Sequence, residues 1–327
     1  MARSDETVLQ AALRHGIVLP YSCKTGTCAS CKCRIVRGQV HYPDNPPRAL
    51  DFDDMASGSG LACQAHPASD LVIDARELTQ LADIPVRRLP ARVEHLDRLS
   101  PQVMRLRLKP AGGRRLQFLA GQYVDIILPG GKRRAFSIAS APAERDYLEL
   151  HVKHVSGGGF TGHVFSGMQH KEILRLEGPL GTFFIRRSSQ RPMLMVGGGT
   201  GLAPLKSMIE ELLDAGDQRP IDLYWGVRAP VELYADALIQ SWQDRHPALT
   251  YHPVLSEPDD QWSGRLGWVH EAVLADYPDL SGHDVYMSGP PAMVKTARTA
   301  FLSAGVPEDR LFYDSFDFAP DVPPAES

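Results

Sequence analysis

Five cysteines, Cys23, Cys28, Cys31, Cys33 and Cys63, fall within the first fifth of a 327-residue chain. The first three are spaced C-x4-C-x2-C, and Cys63 follows after a long gap. Three thiolates from one tight loop, closed by a distant fourth, form the donor set of a [2Fe–2S] cluster. Gly26 lets the loop curl, and the small Thr25, Thr27, Ala29 and Ser30 let backbone N–H groups approach the sulfurs. A zinc site would pair one C-x2-C with another or with histidines, and Cys63 has no such neighbour. Inert buried thiols are the remaining alternative. Cys33 lies outside the spacing, at the start of strand-like Lys32–Val36, and reads as a small buried side chain. Clustered thiols in an odd number argue against a disulfide scaffold.

Further along, Arg134-Ala135-Phe136-Ser137 offers a guanidinium for a pyrophosphate, a flat apolar wall and a hydroxyl for a polar ring edge. Gly157-Gly158-Gly159-Phe160-Thr161 and Gly178-Pro179-Leu180-Gly181-Thr182-Phe183 add glycines that free N–H groups for phosphate. Alone, the triple glycine reads as a flexible hairpin. The run from Val196 to Pro204 joins a strand to a helix, and its Gly197, Gly199, Thr200 and Gly201 make a phosphate cradle at a helix N-terminus. The spacing differs from G-x-G-x-x-G, and a structural glycine turn is the alternative. Two later segments, ending in Arg228 and opening with Met287-Ser288-Gly289-Pro290, fall at the carboxyl ends of strands, where open α/β sheets bind ligands.

The elements that must position these groups divide the chain into three stretches. Residues 1–83 hold every cysteine. Pro85, Arg87-Arg88 and Pro90 look like a linker. Residues 88–187 carry strand-like segments (91–96, 103–108, 123–128, 148–155) with glycine-rich turns, the pattern of a small barrel or sandwich. Residues 190–319 alternate strands (193–196, 221–227, 250–255, 285–288) with helices (204–215, 292–304), which predicts a parallel sheet flanked by helices. The Pro-rich end, 320–327, reads as a disordered tail. The chain is 43% hydrophobic and 23% charged with a net charge of −4, so it is neither disordered nor a basic nucleic-acid binder. No apolar run reaches the roughly 20 residues of a membrane helix, and the polar first residues lack the apolar core of a signal peptide. These features point to the cytoplasm.

The segment Leu19-Pro20-Tyr21-Ser22-Cys23-Lys24-Thr25-Gly26-Thr27-Cys28 resembles the cluster loop of plant-type ferredoxins, a β-grasp fold, and the match runs from about Glu6 to Asp74. The later segments, in their order, resemble the ferredoxin–NAD(P)H reductase superfamily. That resemblance implies an FAD-binding barrel using Arg134, Ala135, Phe136, Ser137, His151, Lys153, Gly159 and Thr161. It implies a nicotinamide domain using Gly197, Gly199, Thr200, Gly201, Arg228, Gly289 and Pro290, with Ser137 and Ser288 beside the hydride transfer. Many relatives have cysteine where Ser288 stands. Phe316, ending Phe312-Tyr313-Asp314-Ser315-Phe316, would cover the flavin; a buried edge strand is an equal alternative. Arg228 could hold a 2′-phosphate, but Glu232 would repel one, which favours NADH.

The order of domains implies a converter that takes two electrons from NAD(P)H through FAD and passes them singly through the cluster to a partner protein. It resembles reductases of the CDP-6-deoxy-3,4-glucoseen type, which serve a deoxysugar dehydrase, and the reductase components of bacterial oxygenases. A redox-sensing module that binds these cofactors without turnover is a third possibility. Ferredoxin domains open with a hairpin before the first helix. Here residues 5–14 form that helix and only four residues precede it, so the hairpin is expected to be missing.

Overall fold

The computed structural model describes residues 2–3, 5–113 and 115–316. The expected 320–327 tail lies outside the described residues. The chain forms two compact units. The first comprises residues up to 85 with Gly181–Phe183, and the second comprises residues 86–180 and those from 184 onward.

Unit 1 opens on α1 (Val8–Arg14), and among its described residues no strand precedes that helix. The helix starts later than residue 5 because Thr7 caps it. The Thr7 hydroxyl accepts from the Gln10 N–H, and the Gln10 side chain accepts from the Thr7 N–H. Its apolar side, Val8 and Leu9, packs with Leu19, Tyr21, Leu50 and Leu61. Strands β1 (Lys32–Arg37), β3 (Ser59–Leu61) and β5 (Val72–Asp74) form an antiparallel sheet with β1 in the middle. β2 (Val40–His41) pairs β4 (His66–Pro67), and α2 (Phe52–Ala56) precedes β3.

Unit 2 begins with six antiparallel strands: β6 (Arg87–Ser100), β7 (Val103–Pro110), β8 (Tyr123–Ile127), β9 (Arg133–Ser137), β10 (Leu148–Lys153) and β11 (Ile173–Leu180), ordered β10-β7-β6-β11-β8-β9. The two edges meet, since Ile138 bridges Leu150 and the Ala139 N–H donates to Glu149 O at 2.7 Å, which closes the sheet into a barrel. Inward residues such as Leu106, Leu108, Ile126, Leu150 and Leu176 fill it. Two expectations are corrected here. Arg87 to Pro90 is strand rather than linker. Pro90 lies opposite Arg175 on one side, while pairing to β7 starts only at Ala91, so its missing N–H costs no ladder bond. The triple glycine is no hairpin, because it opens helix α3 (Gly159–Ser166).

The rest of unit 2 is a parallel sheet of β12 (Met193–Gly198), β13 (Ile221–Val227), β14 (Leu249–Leu255), β15 (Arg265–Leu266), β16 (Asp284–Gly289) and β17 (Leu311–Ser315), ordered β15-β14-β13-β12-β16-β17. Helices α4 (Leu202–Asp214), α5 (Asp236–Gln243), α6 (Val269–Asp276) and α7 (Pro291–Ser303) connect it. Strand order reverses between β12 and β16. Their carboxyl ends, Gly197–Gly201 and Ser288–Pro290, therefore flank the crevice where such sheets take ligands. Among the described residues, no helix is long and apolar enough to cross a membrane.

Candidate cofactor sites

In unit 1 the four spaced cysteines come together as two pairs. Cys23 lies within hydrogen-bonding reach of Cys28, and Cys31 of Cys63. Among the described residues, no three His, Cys, Asp or Glu side chains group as one ion would need. Two pairs of thiols suit two irons, so the donor set fits a [2Fe–2S] cluster. The Cys28 thiol and the Thr25 and Thr27 groups pull Cys23 down to about 3, and Cys31 draws Cys63 down likewise. Their partners Cys28 and Cys31 are pushed up, so each pair shares a proton that metal must displace. Cys33 is buried, and that burial raises its thiol to about 11.

The loop is held in an unusual shape. Lys24, Gly26 and Ala29 all take positive φ, at 60°, 78° and 62°. A Cβ on Gly26 would stand 2.6 Å from Pro47 Cβ. Gln64, which sequence reasoning passed over, donates to Lys24 O at 2.7 Å and so ties the Cys63 segment to the loop.

In unit 2, β9 carries Arg134 half-buried, Ala135 exposed, and Phe136 tilted against Phe160 at 5.5 Å. Ser137 is buried and its Oγ donates to Asp314 Oδ2 at 3.3 Å. His151 and Lys153 are on the adjoining edge strand β10. Thr161 Oγ1 accepts from the Val155 N–H and donates to the Val155 and Gly158 carbonyls, so its hydroxyl holds the glycine turn. Gly159 has open space where a Cβ would be, and no side chain caps α3, which leaves its first N–H groups to an anion.

At the crevice the glycines divide into two kinds. A Cβ on Gly198 would meet Met293 Sδ at 2.4 Å, and one on Gly201 would meet Ser288 O at 2.0 Å. These two let β12 and α4 press against the β16 turn. Gly199 instead has φ +53° and nothing within 4 Å of its Cβ position, so it and Thr200 face the open side. They line a cleft with Gln102, Lys153, Glu232 and Tyr234, and the helix start that follows them has no side-chain cap.

Gly289 and Pro290 stand across the crevice. The Phe316 N–H donates to Gly289 O at 3.0 Å, which places that residue's backbone beside the turn. Ser288 is fully buried and its Oγ has no hydrogen-bond partner. Arg228 is exposed and bound by Glu232 at 3.1 Å.

Sequence reasoning missed the buried charges behind this crevice. Lys206 of α4 reaches Glu149 of β10 at 3.3 Å, and Glu149 also receives Arg107 and contacts His151. Burial would raise Glu149, but the His151 hydrogen bond and the Lys206 charge hold it well below the usual carboxylate range. Burial lowers His151 despite Glu149.

Fold and sites together define an oxidoreductase with iron–sulfur, flavin and nicotinamide domains. Comparison with known proteins agrees. The 2Fe-2S iron-sulfur cluster binding domain family matches residues 1–68, the oxidoreductase FAD-binding domain family 90–185, and the oxidoreductase NAD-binding domain family 195–299. The CDP-6-deoxy-L-threo-D-glycero-4-hexulose-3-dehydrase reductase of Yersinia pestis is 39% identical over 310 residues, covering 95% of this chain and 93% of that protein. The phenol 2-monooxygenase reductase component of Pseudomonas sp. (strain CF600) is 39% identical over 323 residues, covering 97% and 91%. The crystal structure of the Amycolatopsis cytochrome P450 reductase GcoB aligns with a TM-score of 0.80 at 34% identity, covering 97% of this chain and 96% of that one. The chain belongs to the family of NAD(P)H-dependent reductase components that join a [2Fe–2S] ferredoxin domain to FAD- and NAD-binding domains.

Proposed function

We propose that this reductase works in the cytoplasm, uses NADH, and delivers single electrons to a deoxysugar dehydrase partner. When bound, FAD accepts a hydride and the cluster carries one electron at a time. The observation that carries the reading is the paired-thiol loop in one chain with a glycine crevice at a strand-order reversal. The dehydrase assignment is supported by the Yersinia pestis relative. Equal identity to the phenol 2-monooxygenase component supports a second reading, in which the acceptor is an oxygenase.

In this proposal Cys23, Cys28, Cys31 and Cys63 hold the irons. Arg134, Ala135, Phe136, Ser137, His151, Lys153, Gly159 and Thr161 form the flavin site, the last by shaping its turn. Gly197, Gly199, Thr200, Gly201, Arg228, Gly289 and Pro290 form the nicotinamide site, with Phe316 between the two. Ser137 holds a hydroxyl proton toward Asp314, and the orphaned Ser288 hydroxyl awaits a partner. Engagement of Arg228 by Glu232 supports NADH, because a 2′-phosphate would have to break that pair beside a carboxylate. The domains are proposed as 1–83, 88–187 and 190–319.

Anaerobic titration of the purified protein tests this. NADH should bleach flavin and cluster absorption together and drive rapid cytochrome c reduction, with NADPH far slower. Bleaching without cytochrome c reduction would favour a sensor. Addition of a dehydrase or an oxygenase component then decides the acceptor.

A further inference from the structure

Behind the crevice, a chain of side chains crosses between the barrel and the parallel sheet of unit 2. From the barrel come Glu149, His151 and the Ala139-Ser140 backbone. From the sheet side come Lys206, Ser207, Tyr234 and Trp225. Lys206 is almost wholly buried, and its Nζ donates to Ala139 O at 3.1 Å and contacts Glu149 at 3.3 Å and Glu210 at 2.9 Å. Ser207 Oγ donates to Ser140 O at 2.7 Å. His151 lies 3.0 Å from Glu149 Oε1 through Nε2 and 3.0 Å from Tyr234 Oη through Nδ1. The Tyr234 ring stands edge-on to Trp225 at 5.1 Å, and Trp225 Nε1 donates to Gly199 O at 2.9 Å.

The polarity of this chain follows from its ends. An ionised Glu149 only accepts, so His151 Nε2 carries the proton. The buried imidazole is neutral, so Nδ1 accepts and the Tyr234 hydroxyl donates. Every member then has a fixed direction, from Tyr234 to His151 to Glu149, and Lys206 and Arg107 balance Glu149 and Glu210. A network with all its members satisfied admits one arrangement, whereas a slide of either lobe would strand a buried charge.

We propose that Lys206, Glu149 and Tyr234 are positioning residues that fix the barrel edge against the Gly199 turn, and so set the spacing across which hydride passes. This rests on the reading of unit 2 as a flavin and nicotinamide module. None of the three needs to touch a reacting atom.

The test uses the whole FAD-replete protein with Tyr234→Phe, Lys206→Met and Lys206→Arg. In the first two, hydrogen–deuterium exchange at the Ala139 and Glu149 amides should quicken, and the saturating rate of flavin reduction should fall by about tenfold or more. In Lys206→Met, a side chain that does not line the Gly199–Thr200 cleft, the NADH concentration giving half that rate should stay within about twofold of wild type, whereas Tyr234 lines the cleft and its variant is read on the saturating rate and the exchange. Lys206→Arg should recover most of the rate. If Lys206→Met does not fold, Tyr234→Phe decides, because it removes a single oxygen. A folded, FAD-replete Tyr234→Phe protein with the wild-type saturating rate overturns the proposal, whatever its exchange. Should NADH fail to reduce the wild-type protein, the functional reading falls, and the exchange measurement alone then upholds or overturns the lock.

Discussion

Cys31 and Cys33 share a strand start and a core, yet differ in chemistry. Cys31 pairs with Cys63, while the Cys33 thiol is buried and protonated, pushed up to about 11. Cys33→Ser should therefore retain the visible absorption of the cluster, and Cys28→Ser or Cys63→Ser should lose it. Absorption spectra with iron determination check this, and loss of iron in Cys33→Ser would overturn the ligand set. The spacing of the thiols made the ligands legible in the sequence. Gln64 was not legible, because a glutamine after a cysteine has no signature until the loop folds back onto it.

At the scale of elements, the turn from β12 into α4 depends on closeness more than on flexibility. Gly201 has an ordinary helical φ near −59°, so an alanine there meets no backbone strain but collides with the Ser288 carbonyl and the Gly289 Cα. Gly201→Ala should cost about 3 kcal/mol, the upper range for overpacking, and weaken NADH binding by displacing the β16 turn. Gly199→Ala meets open space and should cost about 1 kcal/mol for its left-handed backbone alone. Melting curves and NADH titrations distinguish the two, and equal losses would contradict the division. The sequence shows four residues that could cradle a phosphate; which of them face the ligand and which face a neighbouring strand depends on the β12–β16 pairing.

At the scale of the molecule, the two units should respond separately to metal removal and to acid. Cys31, Cys33 and Cys63 are part of the unit 1 core, so stripping iron should lower the melting of that unit and abolish cytochrome c reduction. NADH-driven ferricyanide reduction, which needs only unit 2, should persist, and its parallel loss would show that the units are not independent. Acid acts on unit 2 through His151, which faces Glu149, Tyr234 and the Lys206 and Arg105 charges. Its folded pKa is depressed by burial, so the unfolded chain takes up the proton first as pH falls. The stability due to this group is present above about pH 6.5, the unfolded value, and declines below it. Glu149, held low by the His151 hydrogen bond and the Lys206 charge, keeps its contribution down to the ordinary carboxylate range and loses it progressively as pH falls below that. Melting of unit 2 should thus fall between pH 7 and 5, and His151→Gln should flatten that slope.

The sequence by itself determined the cofactor classes and their order. Thiol spacing, glycine runs and strand-to-helix transitions are local patterns, and local patterns survive in one dimension. It also located most strands, because alternation and β-branched residues mark them whatever they pair with. The start of the first helix is local too, since Thr7 and Gln10 cap each other three residues apart. Two things were decided only by tertiary structure. Arg87 to Pro90 became strand because a partner in β11 satisfies its backbone. The Lys206–Glu149–His151–Tyr234 chain joins residues up to 85 positions apart, and a buried charge has no recognisable pattern until the fold supplies its opposite.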